Sequence, residues 1–172
     1  DKGTTVEQIE AYFDEVGHVD WVHTLSRAPM LKAQHPDYEI FMMGPHAQRG
    51  LSCADCHMPY KVDGGIKYSD HQISSPLRNI ANTCQTCHRD SEENLRNYVY
   101  EYQDKALEIR DRVEQEITKA HVYAKNAWDN GATEAQMKEA LNLIRQAQWR
   151  WDFVVASHGA TFHAPVESQR IL

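Results

Sequence analysis

The sequence predicts a mainly α-helical chain, with a loop-rich first half followed by a pair of long antiparallel helices. Three observations carry that reading. Neither proline nor glycine occurs between Ser91 and Gly131, so nothing there interrupts a helix. A second helical pattern resumes after a connection of only a few residues, which favours antiparallel neighbours. By contrast Pro59, Gly64, Gly65 and Pro76 crowd the stretch from Cys53 to Cys87 with breakers.

The elements follow in order. Thr5 and Gln8 form a capping-box pattern, and Val6, Ile9, Phe13 and Val16 recur at helical spacing, so residues 5–17 read as a short amphipathic helix. Residues 18–52 are mixed, interrupted by Pro29, Pro36, Gly44, Pro45 and Gly50. No strand pair is convincing in the stretch that follows, although Ile66 to Tyr68, just after the double glycine, suits one short strand. Ser91 is an N-cap with Glu92 and Glu93 in the first turn, where the helix dipole favours acids. Gly131 is the matching C′ terminator. Between them Tyr102, Ala106, Ile109, Val113, Ile117, Ala120, Ala124 and Ala127 step by three and four, close to a coiled-coil seam. Such a helix runs roughly 55 Å. Its seam can pack within the chain or join two protomers. Thr133 and Gln136 open a second helix reaching about Ser157, with Met137, Leu141, Ile144, Trp151 and Val155 on one stripe, widened by Ala140, Ala147 and Val154. Val166 to Leu172 looks like the opening of a further helix, and both ends look cut, so the chain is expected to be a piece of a larger protein. Residues 1–90 and 91–172 read as two segments of one incomplete domain.

At 172 residues the chain suffices for one compact domain. No uncharged apolar run is long enough to span a membrane. The formal charge is −7, with no basic tract, which argues against nucleic-acid binding.

All four cysteines fall in two copies of one motif, Cys53-Ala54-Asp55-Cys56-His57 and Cys84-Gln85-Thr86-Cys87-His88. Cys-x-x-Cys-His is the pattern of covalent c-type haem attachment: two thiols add to one porphyrin edge and the adjacent histidine ligates the iron. A structural zinc site or a pair of disulfides would also use the cysteines. Either alternative leaves two identically placed histidines unexplained, whereas haem attachment uses all six residues. Eight further histidines (His18, His23, His35, His46, His71, His121, His158 and His163) provide candidates for a second axial ligand.

Leu31-Lys32-Ala33-Gln34-His35-Pro36, the first motif with Met58-Pro59, Asp70-His71, Thr83 with the second motif, Trp149-Arg150-Trp151-Asp152 and His163-Ala164-Pro165 occur in that order. Together they closely resemble the C-terminal half of the pentahaem cytochrome c nitrite reductases, the ammonia-forming enzymes, across essentially the whole chain. The resemblance implies a multihaem cytochrome c fragment carrying the fourth and fifth of five haems c. It implies proximal ligands His57 and His88, with His163 opposite His57 and His46 opposite His88. His71 corresponds to a ligand of the second haem, whose own attachment motif lies outside this chain. His35 matches the active-site histidine beside the substrate. Gln34, through its side chain, and Lys32, through its backbone carbonyl, match calcium ligands.

The implied function is six-electron reduction of nitrite to ammonium, in the periplasm, by a homodimer joined through long helices. A membrane-anchored tetrahaem quinol dehydrogenase or a soluble multihaem cytochrome would donate the electrons. The family reduces nitrite at a haem attached through Cys-x-x-Cys-Lys, and this sequence contains no such motif. Alone, the chain is therefore expected to be inactive. The alternative is a dedicated dihaem electron carrier with no substrate.

Overall fold

In the computed structural model, which describes residues 2–172, the capping signals place the helices. Helix α1 spans Val6–Glu15. The Thr5 hydroxyl accepts the Gln8 amide at 3.3 Å, and the Gln8 side chain accepts the Thr5 amide at 3.1 Å. A two-residue antiparallel ladder follows, β1 Trp21–Val22 with β2 Pro29–Met30. Three short helices come next: α2 Asp37–Met42, α3 Pro45–Gln48 and α4 Cys53–His57. A hairpin of β3 Tyr60–Asp63 and β4 Ile66–Ser69 then leads through three short 3₁₀ turns to α5 Glu92–Asp129. Helix α6 spans Glu134–Val155, and α7 Ala160–His163 and α8 Pro165–Ile171 close the chain. Among the described residues, no helix is long and apolar enough to cross a membrane.

Helix α5 runs 38 residues, on the order of 57 Å at the usual rise. It ends in a Schellman arrangement: the Ala132 amide donates to Ala127 O and the Gly131 amide to Trp128 O, both at 3.0 Å. Gly131 sits at φ 84°, a left-handed conformation that favours glycine. Thr133 then caps α6 reciprocally with Gln136. The turn is thus encoded at both of its ends.

One apolar cluster joins the two halves of the chain. Val6, Leu31 and Ile40 pack with Trp149, Phe153, Ala160 and Ile171. A second gathers Ala28 and Met30 with Ala124, Met137 and Ile144. The stripe on α6 differs from the one the sequence suggests. Trp149 and Phe153 are the deepest residues, while Val155 is exposed. The reason is that α6 faces two partners, α5 along its first half and α1 with the Leu31–Ala33 segment along its second, so the buried face turns. On α5, Ala106, Ile117 and Ala124 are buried, whereas Tyr102 is 39% exposed.

The β3–β4 pairing is a second departure, since only a single short strand was expected there. Gly64 and Gly65 both adopt positive φ, 54° and 81°, the requirement of a two-residue hairpin turn. Most side chains on both faces of the hairpin are exposed. Without a buried face there is no apolar–polar alternation to read.

Two polar contacts tie the first residues to the long helices. Arg145, nearly buried, donates to Asp14 Oδ1 at 3.1 and 3.2 Å, to Pro29 O at 3.1 Å and to His18 O at 2.9 Å. His121, also buried, stacks on His23 with centroids 3.7 Å apart and meets Ser26 Oγ at 2.8 Å.

Arg145→Ala is expected to cost about 2–3 kcal/mol, because two carbonyls and one carboxylate lose a shared donor in a nearly buried place. Denaturant melts should show a lowered midpoint at unchanged slope. Burial first, and then the nearby His23, lowers the proton affinity of His121 below the ordinary imidazole value of 6.5. The unfolded chain therefore binds more protons here, so this contribution is complete above pH 6.5 and fades as the pH falls below it. His121→Gln should flatten the acid side of a stability–pH curve in that window; an unchanged slope would assign it elsewhere.

Candidate functional site

Helix α4 carries the first Cys-x-x-Cys-His. Ser52 caps it: Asp55 Oδ2 accepts the Ser52 amide at 2.6 Å and its hydroxyl at 2.8 Å. These bonds hold the Asp55 carboxyl below its usual range. Spacings of three and four put Cys53, Cys56 and His57 on one side of the helical turn. His57 Nδ1 donates to Ser74 O at 3.0 Å, leaving Nε2 with its lone pair outward, the orientation a ligating imidazole needs.

The second motif begins on the 3₁₀ turn Cys84–Thr86. Thr83 anchors that turn through Asn79 O at 2.7 Å, and Thr86 Oγ1 donates to Thr83 O at 2.6 Å. Burial, and then the charge of Cys84, pushes the Cys56 thiol up, so the two motifs lie within electrostatic reach of each other. No disulfide joins any of the four cysteines. Among the described residues, no cluster of three or more potential ligand atoms within 4.8 Å includes a sulfur. The sulfurs do not converge as a tetrahedral zinc site would require.

The histidines do pair. The ring centroids of His57 and His163 lie 6.2 Å apart, and those of His46 and His88 lie 6.3 Å apart. A ligating imidazole nitrogen sits about 2 Å from its metal. Two such bonds in line, plus the half-width of each ring, come to about 6 Å. Each separation therefore matches what two imidazoles sharing one iron would require. Burial, and then the neighbouring imidazole (His57 for His163, His88 for His46), keeps His163 and His46 toward the neutral form that ligates metal. His163 Nδ1 is buried without a hydrogen-bond partner. Its position is instead set by contact. A β-carbon on Gly159 would collide with the His163 ring, and one on Gly44 would collide with the His163 carbonyl. Phe41 also packs edge-on against the ring, at 5.7 Å. These residues fit a haem held between two histidines.

His71 stands apart. It follows the hairpin, exposed, and joins neither pair.

Lys32, Gln34 and His35 share another feature, a cleft of about 250 Å³ that they line together with Glu39, Phe13, Trp149 and Phe153. The segment is pinned from behind: the Lys32 amide donates to Asp20 Oδ2 at 2.8 Å and the Ala33 amide to Asp152 Oδ2 at 2.7 Å. Burial raises the Asp152 pKa despite that bond. His35 has φ 51°, unusual for a non-glycine residue. Its ring stacks on His158, with centroids 5.3 Å apart and planes 10° from parallel. Lys32 O and the Gln34 amide oxygen are oxygen donors of the kind calcium takes, although such an ion needs six to eight.

Sequence reasoning named His158 only as one of eight candidate axial ligands and did not single out Ser74, Gly44, Gly159 or Asp37 as parts of a site. The spacing of His158 and His163 around Gly159 was the available signal for the last glycine and its neighbour. Ser74 acts through its carbonyl, which any residue could supply.

Similarity to known proteins is extensive. The profile of the cytochrome c552 family matches residues 1–172. The cytochrome c-552 of Parabacteroides distasonis is 72% identical over the whole chain, and that of Bacteroides thetaiotaomicron 71%. The cytochrome c-552 of Maridesulfovibrio salexigens is 53% identical over 171 residues. The chain spans about a third of the length of these curated relatives, 34–35%. Among solved structures, the catalytic subunit of the cytochrome c nitrite reductase from Desulfovibrio desulfuricans, studied for its two calcium sites, superposes with a TM-score of 0.93 at 34% identity. That match covers 99% of this chain and 39% of the other. With every residue inside the family profile, the chain belongs to the cytochrome c552 family.

Proposed function

We propose that the chain supplies two bis-histidine haems and one wall of the substrate pocket to a nitrite reductase that converts nitrite to ammonium. The observation carrying this reading is the matched spacing of the two imidazole pairs, 6.2 and 6.3 Å. Cys53 and Cys56 hold one haem c between His57 and His163. Cys84 and Cys87 hold the other between His88 and His46. Bound there, each haem supplies one-electron transfer at a potential set by its two imidazoles, burial and nearby charge.

The protein's own groups arrange the rest. His57 is oriented by Ser74 O, and His163 by the backbone of Gly44 and Gly159. His35, at the cleft, donates a hydrogen bond to nitrite and relays protons, a task suited to imidazole near neutral pH. Lys32 through its carbonyl and Gln34 through its side chain contribute to a calcium ion at that cleft. The Lys32 ammonium takes no part, since calcium binds oxygen. His71 reaches a haem attached elsewhere in the protein, and the reacting iron is likewise carried outside this chain.

The setting follows from the same reading. The protein works in the periplasm as a homodimer joined along α5, where Tyr98, Tyr102 and Leu107 remain exposed in the single chain. A membrane-anchored tetrahaem quinol dehydrogenase or a soluble multihaem cytochrome donates electrons.

Acid denaturation followed by extraction should leave two haems covalently bound to this chain in the intact mass. None retained would leave the cysteines to zinc or disulfides. His46→Ala should convert one low-spin haem to a form that binds cyanide, read in the visible spectrum, while the haem count stays at two. An unchanged spectrum would remove His46 as a ligand. In the whole enzyme with a reduced dye as donor, His35→Asn should lower kcat/KM for nitrite by roughly 10²–10⁴. Its haem spectra should not change.

A further inference from the structure

We propose that His35, Asp37 and His158 form a binding site for one divalent transition-metal ion of the zinc class at the rim of the cleft. Each residue offers one ligand atom, and the three atoms lie within 4.8 Å of one another. His158 Nδ1 is 3.8 Å from Asp37 Oδ2. Ligand atoms around tetrahedral zinc sit about 3.3 Å apart, given bonds of about 2 Å. Rotation of the two exposed imidazoles about their side-chain torsions closes that difference. Their planes lie 10° from parallel with centroids 5.3 Å apart, so binding turns the rings out of this stack to aim one nitrogen lone pair of each at the ion.

Asp37 is built to serve. Its Oδ1 accepts the Ser157 hydroxyl at 2.9 Å and the Gly159 amide at 3.4 Å. Those bonds fix the carboxylate and leave Oδ2 toward His158, the outer support that metal-ligating carboxylates require. Asp37 opens α2, and His158 precedes α7, so the fold rather than local sequence brings them together. The left-handed backbone of His35, φ 51°, turns its ring to the same point. Two imidazoles and one carboxylate select zinc, copper or nickel over calcium or magnesium, which prefer oxygen alone. Three protein ligands on an exposed rim leave the fourth position to solvent. The site is distinct from the oxygen donors Lys32 and Gln34, on the other side of His35 in sequence.

Occupancy commits the His35 ring to the metal and withdraws it from the cleft; this consequence rests on the role proposed for His35 above. The binding itself does not.

Zinc chloride titrated into the haem-loaded protein should bind at one ion per chain, with two imidazole scatterers in X-ray absorption at the zinc edge. His158→Ala and Asp37→Asn should each weaken binding at least about tenfold. The His158 side chain is 81% exposed, so its replacement leaves the fold intact. Undiminished affinity in both variants, or sulfur in the zinc shell, would overturn the site. Zinc that binds as described and also slows nitrite reduction supports both site and consequence. Zinc that binds without slowing the reaction supports the site and removes His35 from the chemistry.

Discussion

Arg145, Trp149, Arg150 and Asp152 occupy two turns of α6, and each is bonded to the first third of the chain. Arg145 reaches Asp14, His18 O and Pro29 O. The Trp149 indole donates to Val6 O at 3.0 Å. Arg150 pairs with the nearly buried Glu10 at 2.8 Å, and Asp152 takes the Ala33 amide. Around them Phe13, Trp149 and Phe153 pack edge to face. Hydrogen bonds of this kind contribute modestly when made and cost more when one partner is left buried and unpaired. Their value here is positional. Asp152 fixes the Lys32–His35 segment, which has little regular structure of its own, against a rigid helix, and the other three hold α1 and the residues that follow it, so the cleft is framed by side chains more than a hundred residues away in sequence.

The haem-motif region depends on a different balance. Its segments have exposed or half-buried cysteines, short turns and a hairpin with no buried face. The two imidazole pairs hold their rings edge-on about 6 Å apart, whereas His23 and His121 stack at 3.7 Å. The stacked pair is a contact that burial and a serine satisfy. The two wider pairs have the separation that two imidazoles sharing one ion would take, given metal–nitrogen bonds of about 2 Å.

The helices were legible because their signals are local. Thr5–Gln8, Ser91, Gly131 and Thr133–Gln136 each act within one turn, and all mark ends the structure adopts. The hairpin was missed because its two glycines fix the turn while its strands have no amphipathic pattern. The α6 stripe was misjudged at Val155, which is exposed, because one helix serving two partners rotates its buried face along its length. In the site, residue chemistry singled out the cysteines and their adjacent histidines. The partners His46 and His163 came from the resemblance and not from spacing. Asp37 and His158, 121 positions apart, carry no local mark of their meeting.

His57 and His163 show two ways to aim an imidazole. His57 is oriented by a bond: its Nδ1 proton is committed to Ser74 O, which fixes both tautomer and ring direction. His163 has no partner at Nδ1 and is oriented by walls, with the backbone of Gly159 and Gly44 too close for any β-carbon. The first device tolerates any residue at position 74 whose carbonyl stays in place. The second tolerates only glycine at two positions that show no need for it by backbone dihedral, since neither Gly44 nor Gly159 has positive φ. Their requirement is close approach, to the His163 ring for Gly159 and to the His163 carbonyl for Gly44. That same approach sets the Gly159 amide against Asp37, so one glycine shapes both the His163 position and the carboxylate beside the cleft.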